Sequence, residues 1–422
     1  MAHPPGSCKV IALTTRRPAS ARTLAPFWVP PERGLAFPRT RLAGRVDVDV
    51  AVLGSGLTAS LSAALLAREG LAVALVAPDA IGDDSACGLG IVGSVPAASA
   101  VETRSAHGVR ATRAIWSATR AAGADLVSML ARWKAPCGLE RLPSYLVASD
   151  DGPAAALERE HAALEACGSQ ATWLGPARVM ATLGLERAVG LRLADADGVV
   201  DPVRATLACA RAATAARAIV VERLAIDRIL RTRHAVEVHA GRHVLRATTC
   251  VVATAVLPDE YRALRRHLAE TTVVSCALPA LPAAVRKRLG RPAICEAVGM
   301  QGLAWRPVPD GRLVLTRHIP VALEHTDMRT VLGATGELMY DFTLQHPHVS
   351  GEQPTARWLR PVTAGIDGLP VAGRHRAFPG HVFALARADR LAECALAARV
   401  ATSAVMDRVH AVSGWLDVSR VR

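Results

Sequence analysis

The sequence predicts an α/β protein built on a Rossmann-type unit, with a mixed, mostly parallel sheet. Three observations predict it. The alternating stretch Val46-Asp47-Val48-Asp49-Val50 passes into the apolar run Ala51-Val52-Leu53, the pattern of a strand entering the interior of a parallel sheet. Gly54-Ser55-Gly56 follows at once, and then a small-residue helix from Ala59 to Ala67 that stops near Gly70. Leu71 to Val76 is a second buried strand, which completes a βαβ unit of roughly 30 residues.

The remaining elements follow in order. Residues 109–134 and 153–167 read as Ala-rich helices, with the strand Tyr145–Ala148 between them. Asp201-Pro202 opens a helix through about Ala216: proline suits the first helical position, and the Asp201 carboxylate can cap free amides. Ile219–Val221, Ala235–Val238 and Val251–Ala253 are strands, and Pro279 to Arg288 is a turn-rich helix. Leu303–Pro307 and Leu313–Thr316 flank Pro309-Asp310-Gly311, a hairpin signal. Val382–Leu385 is a late strand and Leu391 to Val409 the closing helix.

A chain of 422 residues exceeds one simple core and suggests two joined domains. The net charge is +13, and over half of it comes from residues 1–46, where eight basic side chains face the single acid Glu32. The rest is spread evenly, without runs of Lys and Arg or interleaved aromatics, which argues against nucleic-acid binding. Nine scattered cysteines form no C-x-x-C pair, and they read as buried reduced thiols of a cytoplasmic protein. No zinc spacing exists; His346, His348, His325 and Glu324 read as loop residues, and no metal is expected. No apolar run has the length of a membrane span, and the start of the chain lacks a secretory signal.

The G-x-G turn carries the chemistry. Gly54 permits the tight turn, Gly56 lets the backbone approach a diphosphate, and the helix amides and dipole favour its negative charge. Ala59 at the third position still allows close packing of helix on strand. The acid that should end the second strand and hold ribose hydroxyls is missing: Val76 is followed by Ala77 and Pro78, and Asp79 reads as a turn residue.

Gly54-Ser55-Gly56-Leu57-Thr58-Ala59 through Leu75-Val76 resembles the first βαβ unit of the FAD-dependent D-amino-acid oxidase, glycine oxidase and glutamylputrescine oxidase family. Ile81-Gly82-Asp83-Asp84-Ser85-Ala86-Cys87-Gly88 resembles its loop after the second strand, and Gly198-Val199-Val200-Asp201-Pro202 its G-x-V-D-P motif. Val251-Val252-Ala253-Thr254-Ala255 is similar to its V-V-A-T-G strand. Trp358-Leu359-Arg360-Pro361-Val362-Thr363, with Asp367-Gly368-Leu369-Pro370-Val371-Ala372-Gly373, is similar to its late signature.

The resemblance implies FAD as cofactor and a small amine or amino acid as substrate. It implies oxidation of a carbon–nitrogen bond to an imine by hydride transfer to the flavin. It implies a discontinuous FAD-binding domain (46–125, 195–265 and 355–422) with an inserted α+β antiparallel-sheet substrate domain (126–194 and 266–354), after a basic, partly disordered lead-in of 1–45. Flavin contacts fall on Gly54, Ser55, Gly56, Leu57, Thr58, Ala59, Ala77, Ala86, Leu224, Ala253, Thr254, Ala388, Asp389 and Arg390. Arg360 matches the Arg that pairs with the substrate carboxylate, a surface or interdomain salt bridge being the equal alternative for it, and Arg387 falls near a second such Arg.

The departures cluster at the cofactor. Ala77 replaces the ribose-binding Glu, Ala255 replaces a glycine, and the glycine-rich turn before the last helix becomes Leu385-Ala386-Arg387-Ala388-Asp389-Arg390. Glycines there let backbone amides approach the flavin ring. An active FAD oxidoreductase and a catalytically silent homologue, serving as partner subunit or ligand-binding protein, both stay open, as does assembly into homo- or hetero-oligomers.

Overall fold

A computed structural model describes residues 26–28, 37–93, 96–300, 302–320 and 327–420, the side chains of 194–196 excepted. Most of the lead-in 1–45, and with it the expected disorder there, lies outside these residues, as do Glu324 and His325.

The chain opens with β1 (Arg45–Leu53), α1 (Leu57–Arg68) and β2 (Val73–Val76), followed by β3 (Ile91–Val92) and the long α2 (Ala100–Arg132). α2 starts about nine residues before the expected helix, because Ser99 caps it through the amides of Val101 and Glu102, and it kinks at Gly108 (φ 80°). Next come β4 (Glu140–Ala148), α3 (Asp151–Ala166), β5 (Ala171–Leu174), α4 (Pro176–Leu183) and β6 (Val189–Val199). α5 (Pro202–Ala215) begins as expected, with the Asp201 carboxylate accepting from the Arg204 amide at 3.0 Å. β7 (Ile219–Val221), β8 (Arg228–Arg231), β9 (Val236–Ala240) and β10 (His243–Val252) lead through a 3-10 turn to β11 (Leu268–Leu278). After α6 (Ala283–Arg288) and β12 (Ile294–Ala297), β13 (Ala304–Pro307) and β14 (Leu313–Ile319) form the expected hairpin. The chain closes with α7 (Met328–Gln345), β15 (Ala356–Gly365), β16 (Val371–Arg374), β17 (His381–Leu385), α8 (Leu391–Val405) and α9 (Ser413–Leu416).

Two sheets result. The first runs β16-β17-β10-β1-β2-β7, with the β8–β9 hairpin attached to β10. Its central pairs, β17–β10, β10–β1, β1–β2 and β2–β7, are all parallel. The second runs β15-β11-β14-β13-β12-β4-β6-β3, with β5 attached to β6, and only β12–β4 is parallel. The fold is therefore mixed α/β, with a mostly parallel sheet and a second, largely antiparallel one.

The first sheet explains its own sequence. β1 alternates exposed and half-buried residues until Val50, after which every residue is buried between neighbouring strands. α1 carries Ala59, Ala63, Ala64 and Ala67, and these small residues let it pack between α5 and α8 with ten of its twelve residues buried. The eight described cysteines are unpaired and all buried. Of the described lead-in residues, Trp28, Phe37 and Leu42 are buried as well.

Candidate functional site

The carboxyl ends of β1, β2 and β10 meet the start of α1, and three stations line the groove they define. At the first, Gly54 has φ +138°, and an added Cβ would stand 2.2 Å from the Ala253 carbonyl oxygen, so only glycine fits. Ala59 lies against the same point, as the small third position requires. Gly56 caps α1 with extended backbone and no side-chain cap of its own.

Two amides of this turn, those of Ser55 and Leu57, are already engaged by side chains. The Ser55 amide donates to the Asp84 carboxylate at 3.3 Å, and the Asp84 amide donates back to the Ser55 hydroxyl at 3.2 Å. The Leu57 amide donates to the Ser85 hydroxyl at 2.9 Å, which also bonds Thr206 at 2.8 Å. The Ser55 carbonyl accepts from the Gly82 amide at 2.7 Å. The loop after β2 is thus folded onto the turn, with a carboxylate at the helix start, where oriented amides attract an anion. Burial raises the Asp84 carboxyl, against the lowering effect of Ser55. Thr58 is buried in the same turn, and the Thr254 hydroxyl just past β10 is buried with no hydrogen-bond partner among the described residues.

At the second station, just past β2, Ala77 is fully buried. Its amide bonds the Val221 carbonyl at 2.8 Å, and its carbonyl accepts from the Leu224 amide at 3.1 Å. The acid absent from position 77 stands one strand over: Glu222, just past β7, accepts from the Ile81 amide at 3.0 Å and pairs with Arg39. Glu222 was not among the residues singled out from sequence, since an acid after a short strand carries no signal of its own.

The third station is the turn between β17 and α8. Asp389 is buried, and an added Cβ on Gly88 would stand 2.5 Å from the Asp389 Cβ. His318 and Arg387 each approach the Asp389 carboxylate at 3.1 Å, and Arg390 lies at 3.6 Å. Burial pushes this carboxyl up, but Arg387, His318 and Arg390 together hold it well below the usual range. Burial and the Arg387 charge lower the His318 imidazole. Arg390 grips Glu296 through two hydrogen bonds of 2.6 and 2.8 Å. Burial opposes charge on Glu296, yet Arg390 overrides it and leaves that carboxyl lowered.

The second sheet covers these stations. Cys87, Val273, Val362 and Ala388 form one buried cluster that joins the loop, β11, β15 and the late turn. Ala86 is buried beside it. Arg360, on β15 opposite Val273, reaches the Asp83 carboxylate at 3.6 Å. Arg306, on β13, is buried and donates to the Val200 carbonyl at 3.1 Å, with its guanidinium 5.3 Å from the Trp28 ring centre. Trp28 in turn donates to the Gly88 carbonyl at 3.0 Å. Glu296, Arg306 and His318 escape sequence reasoning because distant strands deliver them.

The scaffold for a flavin dinucleotide is present, but as arranged these residues do not fit one. The Ser55 amide holds Asp84, the Leu57 amide holds Ser85, Leu224 is bonded to Ala77, and Gly88 touches Asp389. Cavities of about 650 Å³, lined by Arg266, His267, His375, Arg376 and Ser419, and about 250 Å³, beside Trp305 and Cys295, lie elsewhere. Among the described residues no group of three His, Cys, Asp or Glu is placed to hold a metal, and no helix is long and apolar enough to cross a membrane. His346 is buried against Trp305 and Phe342.

A family model described as FAD dependent oxidoreductase matches residues 49–401. The structure is similar to glycine oxidase from Geobacillus kaustophilus, at a TM-score of 0.75 and 18% identity over 90% of this chain and 100% of that one. It is similar to L-proline dehydrogenase from P.horikoshii, at 0.70 and 15% identity over 89% and 98%. It is also similar to iminodiacetate oxidase from Chelativorans sp. BNC1, at 0.67 and 16% identity over 86% and 96%. At these identities the likeness is one of fold. No curated protein matches the sequence.

Proposed function

Because this chain belongs to the FAD-dependent oxidoreductase family, whose model covers residues 49–401, we propose that it oxidises the carbon–nitrogen bond of an amino acid or amine. The names of the similar structures support the substrate class: glycine, L-proline and iminodiacetate are all amino acids or close relatives. One observation carries the reading to particular atoms. Arg360 sits on the covering sheet, partly buried, with its guanidinium already directed at a carboxylate, that of Asp83. A substrate carboxylate offers the same planar acceptor, and a paired guanidinium fixes both its position and its angle. Arg387, bonded to His318 and Asp389 in the turn between β17 and α8, is a further cation.

The test is spectroscopic. Protein supplied with FAD is expected to show flavin bands that an amino acid bleaches under anaerobic conditions. The Arg360→Lys variant is expected to raise KM more than it lowers kcat. The second reading, a homologue that binds a ligand or partner without redox chemistry, draws on the closed packing of Gly88 on Asp389 alone, and the names of the similar structures do not favour it. Protein that stays colourless at every FAD concentration supports that one.

A further inference from the structure

Three acids stand along the turn before α1, the loop after β2 and the late turn. Asp84 is the clearest. Its carboxylate accepts from the Ser55 amide, while its own amide returns a bond to the Ser55 hydroxyl. A reciprocal pair of this kind is the way a chain caps its own helix start. Here it spans two separate segments, 29 residues apart, and it sets a negative charge at the start of the buried α1. Ser85 takes the next amide, that of Leu57.

Asp389, in the late turn, is held by side chains instead of amides. It fills the space before Gly88, and two cations and an imidazole compensate it. Glu222 bonds the Ile81 amide and so pins the loop that carries Asp84. Amides at a helix start and a buried cationic cluster are costly to leave without partners. The chain meets that demand from within.

We infer that Asp84 and Asp389 are internal stand-ins for the cofactor: Asp84 occupies the Ser55 amide in the turn before α1 in place of a diphosphate, Asp389 closes the late turn onto Gly88, and FAD enters only by displacing both. The inference rests on the FAD reading above and deepens it. It makes the flavin-free chain a complete, folded state, and it makes cofactor affinity a contest between two intramolecular carboxylates and one exogenous dianion. A carboxylate beside an incoming diphosphate adds repulsion, so truncating it acts twice, by freeing amides and by removing charge.

The experiment is a titration of the purified full-length chain with FAD, followed by quenching of flavin fluorescence. Wild type is compared with Asp84→Ala, Asp84→Asn and Asp389→Asn, each checked for a native melting transition without flavin. The expected result is weak binding by wild type and at least tenfold tighter binding by Asp84→Ala, with the two asparagine variants between. The conservative Asp84→Asn keeps the readout available if the alanine variant fails to fold. Wild type isolated with stoichiometric FAD overturns the inference and leaves the proposed activity standing. Variants that bind FAD no better than a weakly binding wild type overturn the inference alone. If no form binds FAD at all, both the inference and the oxidase reading fall.

Discussion

Gly88 and Asp389 are in direct contact across the place where two segments of the fold close on each other: a methyl group on Gly88 would stand 2.5 Å from the Asp389 Cβ and 2.9 Å from its Cα. Gly88 also holds φ +65°. Two separate restrictions therefore fall on one residue, and they can be measured apart.

Gly88→Ala is expected to destabilise the chain by about 2–4 kcal/mol, since it adds a steric clash to a left-handed backbone. Gly138→Ala is the control. Gly138 has φ +61° with nothing within 4 Å of an added Cβ, so its cost should be the backbone share alone, about 1 kcal/mol. Thermal melting of the two variants gives the difference. Equal losses would show that the contact with Asp389 carries no weight.

Breaking the Arg390–Glu296 pair from one side should cost more than removing it whole. Glu296→Gln leaves a buried guanidinium with a weaker partner, at an expected cost of about 2–3 kcal/mol. The pair of changes Glu296→Leu and Arg390→Met should recover most of that loss. A double-mutant cycle in denaturant checks it, and strict additivity would refute it.

Glu393 gives stability a slope in pH. Its carboxyl is buried at the start of α8, one oxygen accepting from the Ala97 amide at 2.7 Å and the other with no partner among the described residues. Burial pushes it up from 4.5 to about 7. Because the folded value lies above the unfolded one, its contribution is fully present below 4.5 and is lost as pH rises toward 7, by on the order of 3 kcal/mol. Glu393→Gln should flatten the fall in melting temperature across that window.

His346 slopes the other way. Burial, then the His348 charge, lowers its imidazole from 6.5 to about 4. The neutral ring, packed on Trp305 and Phe342, therefore adds stability above 6.5 that is lost as pH falls toward 4. His346→Phe should resist acid better than wild type, with the gap growing below pH 6.5 in acid-unfolding curves. Curves that stay parallel would place the acid sensitivity elsewhere.

The βαβ start was legible because its signals are local. Val46 to Leu53, the G-x-G turn and the Asp201-Pro202 cap each declare themselves within a few residues, and the structure has them in place. The hairpin around Gly311 is of the same kind. α7 was not anticipated, since Gly333 and Gly336 interrupt its pattern. β6 and β11 were also missed; β11 lies between β14 and β15, a pairing that long-range contacts decide.

The candidate site was legible in part for the same reason. Gly54 and Ala59 announce a close approach, and the late turn's loss of glycines announces that something has changed. What replaced them is not local. Asp389 is held by His318 from β14 and Arg390 by Glu296 from β12, partners 71 and 94 residues away. Asp84 reads as a cap or turn residue from sequence, and the fold supplies the segment it caps, at Ser55.

The eight buried cysteines give this protein a gauge of its own integrity. Burial pushes the thiols of Cys250, Cys276 and Cys394 up to about 12, so at neutral pH almost none is thiolate, and each lies beyond the reach of solvent. A maleimide mixed with the native chain should label none of these eight. Once the chain opens, all of them become reactive, and mass spectrometry can assign each modified peptide to the sheet or helix that gave way first.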